Sequence, residues 1–113
     1  MQISNKSKNT ILAKEVIVAD TLFKRIKGLL GKKTFQQGQA LIIEPCNSIH
    51  TFFMRFSIDV LFVDKENKVI AAISALASFR LSPIYFKAAL VVELPTGTIQ
   101  ATSTQINDLL TLE

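Results

Sequence analysis

The sequence predicts a mostly β, α+β fold. We expect one compact barrel-like or sandwich domain of about six short antiparallel strands, with one or two short helices outside it. Three observations predict this fold. Short apolar runs rich in β-branched residues recur along the chain, polar connections of turn composition separate them, and few segments have helical periodicity. Hydrophobic residues make up 49% of the 113 positions, enough for one core, so we expect residues 1–113 to form a single domain.

The first predicted elements are two strand-like stretches and a helix. Residues 1–10 are polar and are expected to be frayed or to form a short edge strand. Residues 11–18 have strand composition. Asp20 and Thr21 then offer a helix N-cap, and Gly31 predicts the C-terminal end. Between them the apolar side chains fall on one face, opposite a basic face; the apolar set is Leu22, Phe23, Ile26, Leu29 and Leu30.

A β-hairpin is predicted in the middle of the chain. Residues 58–63 and 69–73 are apolar and rich in β-branched side chains, and the polar connection at residues 64–68 separates them. Asn67 can adopt a left-handed conformation in that connection. Five residues are too few for a parallel crossover, so the two strands should be adjacent and antiparallel.

Three further strands complete the prediction. They lie at residues 40–43, 88–94 and 109–112, each a short apolar run. Between the last two strands, residues 96–97 (Thr-Gly) can open a short helix or an irregular turn.

The composition excludes several classes of protein. One cysteine and one histidine cannot build a disulfide framework or a closed Cys/His zinc site, so we expect no structural metal and no cofactor. The apolar runs are far shorter than the ~20 residues of a membrane-spanning helix. The N-terminus lacks the apolar stretch of a signal peptide, and we therefore expect a cytoplasmic protein without a membrane span.

The positive charge is concentrated at the N-terminal end. The net charge is +4, but residues 1–33 contain eight basic and two acidic residues, whereas residues 34–113 contain five basic and seven acidic ones. Lysines on a solvated helix face account for this distribution, and no aromatic interleaving or nucleic-acid motif accompanies them. We expect no sequence-specific binding of nucleic acid.

One apolar segment, residues 46–64, contains an unusual set of polar side chains. Cys46, His50, Arg55 and Asp59 all lie within it. Burying ionisable groups is costly unless they find partners, so these residues mark either a site or an internal polar network. Cys46 and His50 could form a nucleophile–base pair, although one cysteine and one histidine do not make a triad.

Two carboxylates interrupt apolar strands, Asp59 in the hairpin and Glu93 in the strand at residues 88–94. They could form an acid–base pair, a metal site or the acidic halves of buried ion pairs, and we weigh the anchoring of loop backbone above catalysis. His50 and Arg55 are the natural donors nearby. The sequence therefore predicts that at least one carboxylate pairs with one of them.

Three blocks of sequence resemble a known family. Thr21, Arg25 and the Gly-Leu-Leu-Gly run at residues 28–31 are similar to its opening pattern. The segment HTFFMR followed by IDVLFVD, within residues 50–64, resembles its central signature. ELPTGT at residues 93–98 resembles its third block. On these motifs the chain resembles the family called domain of unknown function 192, which comprises small proteins of bacteria and archaea.

The resemblance implies a β-rich, barrel-like domain with short helices outside, and it supplies no reaction. It also makes six positions the best candidates for a shared ligand-binding site: His50, Met54, Arg55, Asp59, Glu93 and Gly97.

Three hypotheses about function remain open. The leading one is a non-catalytic or accessory domain that binds a small ligand or a protein partner in a polar pocket near His50, Arg55 and Glu93. The second is a hydrolase-type or metal-assisted enzyme that uses His50, Asp59 and Glu93. In the third, the polar residues form a purely structural network and function lies on an outer surface. No oligomeric state is predicted.

Overall fold

Seven strands form one curled sheet in the computed structural model, which describes the backbone of residues 1–113 and every side chain except those of Leu22, Phe23 and Ile26. Along the sheet the strands follow the order β5-β4-β6-β3-β2-β1-β7. Their bounds are β1 Ile3–Asn5, β2 Thr10–Ala19, β3 Gly38–Ile43, β4 Ile58–Val63, β5 Val69–Leu76, β6 Leu90–Pro95 and β7 Leu110–Leu112, with helices α1 Leu22–Lys27 and α2 Thr98–Thr102. The predicted mostly β, barrel-like class is confirmed.

The predicted hairpin is confirmed. Strands β4 and β5 are adjacent and antiparallel, and Leu61 pairs with Ala72 near their centre. In the connecting turn Asn67 has a φ of 64°, the left-handed conformation expected of it. Its N–H donates to the carbonyl of Asp64 at 3.0 Å, which closes the turn.

Two features of the sheet differ from the prediction. Strands β2 and β3 pair in parallel rather than antiparallel. The connection between them, residues 20–37, contains α1 and is long enough for a crossover. Strand β1 is neither frayed nor at an edge, because it pairs with β2 on one side and β7 on the other. A seventh strand is thereby added to the predicted six.

Helix α1 is shorter than predicted. The Thr21 hydroxyl caps it by accepting from the N–H of Lys24, as expected, but the helix ends at Lys27. The prediction that Gly31 ends the helix is wrong, because Gly28 takes a φ of 46° and its N–H donates to the Lys24 carbonyl. Lys24 and Lys27 are exposed; the expected burial of Leu22, Phe23 and Ile26 lies outside the described residues.

Helix α2 starts directly after Gly97, where the sequence allowed a short helix. Across the part of the chain that the structure describes, no helix has both the length and the apolar character needed to cross a bilayer.

The sheet buries apolar side chains on both faces. One cluster receives side chains from all seven strands, including Ile3 of β1 and Leu110 of β7, and therefore fills the inside of the curl. A second cluster covers the outer face of β3, β4 and β6, with Leu41, Val60 and Val91 among its members. Segments outside the sheet cover this second cluster, and they also frame the site described below.

The two edges of the sheet meet at one end. The Val69 N–H of β5 donates to the carbonyl of Asp108 at 2.9 Å, and the Leu110 N–H of β7 donates to the carbonyl of Asn67 at 2.8 Å. These backbone bonds join the last residues of the chain to the hairpin and close one end of the curl.

A buried polar cluster stabilises this closure. The side-chain amide of Asn5 donates to Thr104 Oγ1 at 3.2 Å and to Asp108 Oδ2 at 2.9 Å, and its oxygen accepts from the N–H of Lys8. The Lys8 ammonium lies 2.8 Å from Asp108 Oδ1. Although burial acts to raise the pKa of Asp108, its hydrogen bonds to Asn5 and Lys8 hold that pKa below its usual value.

We expect Asn5→Ala to lower the free energy of unfolding by about 2–3 kcal/mol, because it leaves buried polar groups without partners. Urea denaturation measures the loss. Ser7→Ala is the matched control, since it removes an exposed hydrogen bond to the N–H of Leu109 in the same region and should cost below about 1 kcal/mol. Equal losses for the two variants would contradict the role assigned to Asn5.

Candidate functional site

A cavity of about 250 Å³ lies on the outer face of the sheet, under α1 and the segment at residues 45–54. Its apolar lining consists of Leu29, Leu30, Ile43, Pro45, Ile49 and Met54. Its polar lining consists of Arg25, Lys27, Cys46, Ser48, His50 and Glu93, with the backbone of Gly28 beside them. A mostly apolar wall with a few convergent polar groups is the usual composition of a small-molecule site.

Glu93 forms the floor of this cavity. It lies on β6 opposite Leu41 of β3 and Val60 of β4, so all three side chains point to the same, outer face of the sheet. Only 3% of Glu93 is exposed. Among the described residues its carboxyl group has no hydrogen-bond partner, and burial raises its pKa to about 8.

Arg25 and Lys27 lie near the mouth of the cavity. Lys27 is exposed and Arg25 is half-buried, in contrast to the buried Glu93. One guanidinium nitrogen of Arg25, Nη1, donates to the carbonyl of Pro45, another lining residue, at 3.3 Å and so connects α1 to the segment at residues 45–54. The cavity therefore combines a buried carboxyl group with a cationic mouth.

Cys46 also lines the cavity, half-buried, and its Sγ donates to the carbonyl of Ser48 at 3.0 Å. Burial raises the pKa of the thiol, and the charge of Glu93 raises it further, while the hydrogen bond to Ser48 and, to a smaller extent, the charge of Arg25 oppose the rise. A thiol with a raised pKa carries little thiolate at neutral pH. The nucleophile–base hypothesis for Cys46 and His50 gains no support from this environment.

Asp59 has a different role from Glu93. It is 1% exposed, and its two oxygens accept three backbone N–H groups. Ala75 donates to Oδ1 at 2.9 Å, while Gly97 and Ile99 donate to Oδ2 at 3.1 and 2.9 Å. Asp59 thus fastens the end of β5 and the start of α2 to β4, which is the backbone anchoring that the sequence suggested for a carboxylate.

The two carboxylates cannot act as a pair. Asp59 pairs with Leu94 across β4 and β6, and the next pair along the same register is Val60 with Glu93. Because successive side chains of a strand alternate between faces, Asp59 points inside the curl and Glu93 points outside it. The acid–base pair considered from the sequence is therefore not formed.

The expected pairing of a carboxylate with His50 or Arg55 is also wrong. Arg55 is exposed, and His50 Nδ1 accepts from the N–H of Phe52 at 3.3 Å. Within the described residues, the ion pair that forms joins Lys8 to Asp108 instead. The same part of the chain holds no group of three metal-ligating side chains.

The structure brings three of the six predicted site residues to the cavity, namely His50, Met54 and Glu93. The other three lie elsewhere: Arg55 on the surface, Asp59 inside the curl, and Gly97 at the start of α2 with a φ of 100°. Gly97 fits this position because such a φ is unfavourable for other residues.

Arg25 was not among the residues predicted for the site. It lies in the opening motif of the family, whose basic residue could have drawn attention to it. Arg25 and Glu93 are far apart in the sequence, so no local pattern indicates that they line the same cavity.

The chain belongs to the family of domain of unknown function 192, described as "Uncharacterized ACR", whose profile matches residues 2–112. A UPF0127 protein of Pyrococcus horikoshii is 33% identical over 111 residues, which cover 94% of each chain. The resemblance found in the sequence is thereby confirmed. The function of this family is uncharacterised.

Two solved structures have the same fold. A protein of unknown function from Novosphingobium aromaticivorans superposes with a TM-score of 0.84 at 14% identity, covering 98% of this chain and 82% of that one. A Sinorhizobium meliloti protein, provisionally described as a transcription regulator, superposes with a TM-score of 0.80 at 15% identity, covering 97% of this chain and 89% of that one. At these identities the likeness concerns the fold alone.

We expect Asp59→Asn to lower the free energy of unfolding by about 2–4 kcal/mol, because the amide nitrogen must face at least one of the three buried N–H donors. Asp64→Asn is the matched control. Its Oδ1 alone accepts from the N–H groups of Glu66 and Lys68, so an amide can keep both bonds and the loss should stay below about 1 kcal/mol. Similar losses in urea denaturation would contradict the anchoring role of Asp59.

The raised pKa of Glu93 predicts a pH-dependent stability. Between the unfolded value of 4.5 and the folded value of about 8, only the folded chain binds the proton, so the free energy of unfolding falls as pH rises through this window. The full effect is on the order of 5 kcal/mol. Glu93→Gln removes the titration, so its stability relative to the wild type should rise from pH 5 to pH 8.

Urea denaturation across this pH range measures the free energy of unfolding of the wild type and of Glu93→Gln. Taking the difference between the two values cancels the contribution of the other titratable groups. Glu66→Gln, a change at an exposed carboxylate, is the control and should parallel the wild type. If the curves of the wild type and Glu93→Gln also run parallel, Glu93 is not held protonated by burial.

Proposed function

We propose that this protein is a non-catalytic binding domain whose cavity over Glu93 takes a small molecule. The observation that carries the proposal is a carboxyl group that is almost fully buried, has no partner among the described residues, and faces an open cavity. A buried ionisable group without a partner is destabilising, and a ligand that donates to it would offset that cost.

The size of the cavity limits the ligand. At roughly 30 Å³ per water molecule, about 250 Å³ corresponds to roughly eight waters, or a molecule of about that many non-hydrogen atoms. This is below the usual range of drug-sized pockets and suits a small metabolite.

The chemistry of the lining suggests how the ligand lies. Glu93 at the floor favours a hydrogen-bond donor, and an ammonium group is the best match because it forms a charge-assisted bond. Leu29, Ile43 and Ile49 provide apolar lining for the rest of the ligand. Arg25 and Lys27 at the mouth favour an anionic group at the opposite end. These features together support a short molecule with an amine at one end and a carboxylate at the other.

The alternative hypotheses receive less support. An enzyme that uses His50, Asp59 and Glu93 would need Asp59 to reach the site, but its oxygens are occupied by backbone N–H groups on the opposite face. A purely structural network accounts for Asp59 but leaves Glu93 without a role. The proposal includes a single domain in the cytoplasm that needs no cofactor and does not bind nucleic acid sequence-specifically.

Three matched probes test this proposal: 5-aminopentanoate, pentanoate and pentylamine. We expect 5-aminopentanoate to bind most tightly in calorimetry and to slow alkylation of Cys46, the only cysteine, because a ligand in the cavity covers the thiol. Glu93→Gln should weaken binding by about tenfold or more, the value of a hydrogen bond to a charged group. Binding should tighten as pH rises toward 8, because the amine requires the ionised carboxylate.

Glu66→Gln serves as the control and should bind as the wild type does. Equal binding of pentanoate would contradict the contact with Glu93, and equal binding of pentylamine would contradict the role of the cationic mouth. If calorimetry detects no binding of a small amine or acid at any pH between 5 and 9, the cavity is not a binding site of this kind.

A further inference from the structure

Two segments outside the main sheet run antiparallel and form a structure that we call the outer ribbon, residues 47–54 and 77–86. The N–H of Thr51 donates to the carbonyl of Arg80 at 2.9 Å, and the N–H of Ser82 donates to the carbonyl of Ile49 at 2.9 Å. Further along, the N–H of Tyr85 donates to the carbonyl of Asn47 at 2.9 Å. These bonds hold the ribbon together along its length.

The ribbon has an inner and an outer side. Ile49 and Thr51 are buried, whereas His50 between them is exposed and pairs with the exposed Leu81 of the other segment. Successive side chains of an extended segment point to opposite sides, and paired residues point to the same side. The inner side therefore packs onto the protein, and the outer side faces away from it.

The exposed side of the ribbon is strongly apolar. Phe53, Phe79 and Leu81 are 75%, 55% and 69% exposed, and the rings of Phe53 and Phe79 lie 5.5 Å apart. Ile84 and Phe86 extend this exposure along the second segment. Half of the exposed large apolar side chains found among the described residues thus belong to one ribbon, a concentration typical of an interaction surface.

The charges next to these apolar residues are all positive. All three cations are exposed: Arg80 and Lys87 adjoin exposed apolar residues in the sequence, and Arg55 lies two residues after Phe53. The surrounding stretches, residues 46–57 and 74–89, contain no aspartate or glutamate. Apolar side chains whose charged neighbours in the sequence are all cations are complementary to a surface that is both apolar and anionic.

We propose that the outer ribbon docks on an anionic lipid bilayer. The apolar side chains would enter the boundary between headgroups and acyl chains, and the cations would contact the anionic headgroups. Phe53, Phe79 and Phe86 also offer rings on which the bases of a single-stranded nucleic acid can stack. Leu81 and Ile84 add exposed aliphatic surface that bases do not use and acyl chains do, which favours the bilayer. An acidic protein surface would need to match the ribbon in shape, whereas a bilayer does not.

This surface is independent of the proposed ligand. The apolar residues Phe53, Phe79 and Leu81 do not line the cavity over Glu93, and vesicle binding requires no occupant in it. The two are nevertheless neighbours, because Ile49, His50 and Met54 of the same ribbon line the cavity.

Flotation with phosphatidylcholine vesicles, with and without phosphatidylglycerol, tests the proposal on the full chain. We expect binding to the mixed vesicles and at least about tenfold weaker binding to pure phosphatidylcholine, with a decrease as salt is added. Phe53→Ser combined with Phe79→Ser should weaken binding by about tenfold or more. Arg55→Gln combined with Arg80→Gln should do the same and leave the apolar surface intact.

Two control variants change equal numbers of residues elsewhere. Ile17→Ser combined with Ile106→Ser removes exposed apolar side chains, and Lys32→Gln combined with Lys33→Gln removes the same charge; both should bind within about twofold of the wild type. The proposal is overturned if the wild type does not float with mixed vesicles, or if the ribbon and control variants bind alike. It is also overturned if the ribbon variants bind mixed vesicles as the wild type does but lose the ability to form a dimer or to bind an oligonucleotide.

Discussion

The structure depends on two neighbouring strands, β4 and β6, that are buried on both faces along their whole length. Backbone hydrogen bonds fix their register, and the register decides which side chain enters the inside of the curl and which points outward. The inner cluster, with Leu61, Val92 and Leu94, holds the strands of the curl together. The outer cluster, with Val60 and Val91, must be covered by segments from outside the sheet. That cover creates the cavity.

The same alternation gives the two central carboxylates opposite roles. Asp59 points inward and meets three backbone N–H groups, so its burial is compensated and it holds distant parts of the chain together. Glu93 points outward into a cavity and meets no donor among the described residues, so its burial is uncompensated and its pKa rises. A protein that retains such a group loses stability at neutral pH, and this loss is consistent with a role in binding.

The outer ribbon connects the cavity to the surface. Its inner side chains wall the cavity over Glu93, and its outer side carries the exposed aromatic and basic residues. A partner bound to the outer side would therefore be separated from the cavity only by the ribbon itself.

The sequence by itself determined the features that depend on neighbouring residues: the hairpin with its left-handed Asn67, the Thr21 cap, the mostly β class and the family. It also determined that Asp59 and Glu93 interrupt apolar faces of their own strands, because side-chain alternation is local. Only the tertiary structure decided that β1 is internal, that β2 and β3 are parallel, and that the two carboxylates face opposite ways. It alone brought Arg25 and Cys46 to Glu93 and joined Asn5 to Asp108. These outcomes follow from pairing between residues far apart in sequence, and local periodicity carries no information about such pairing.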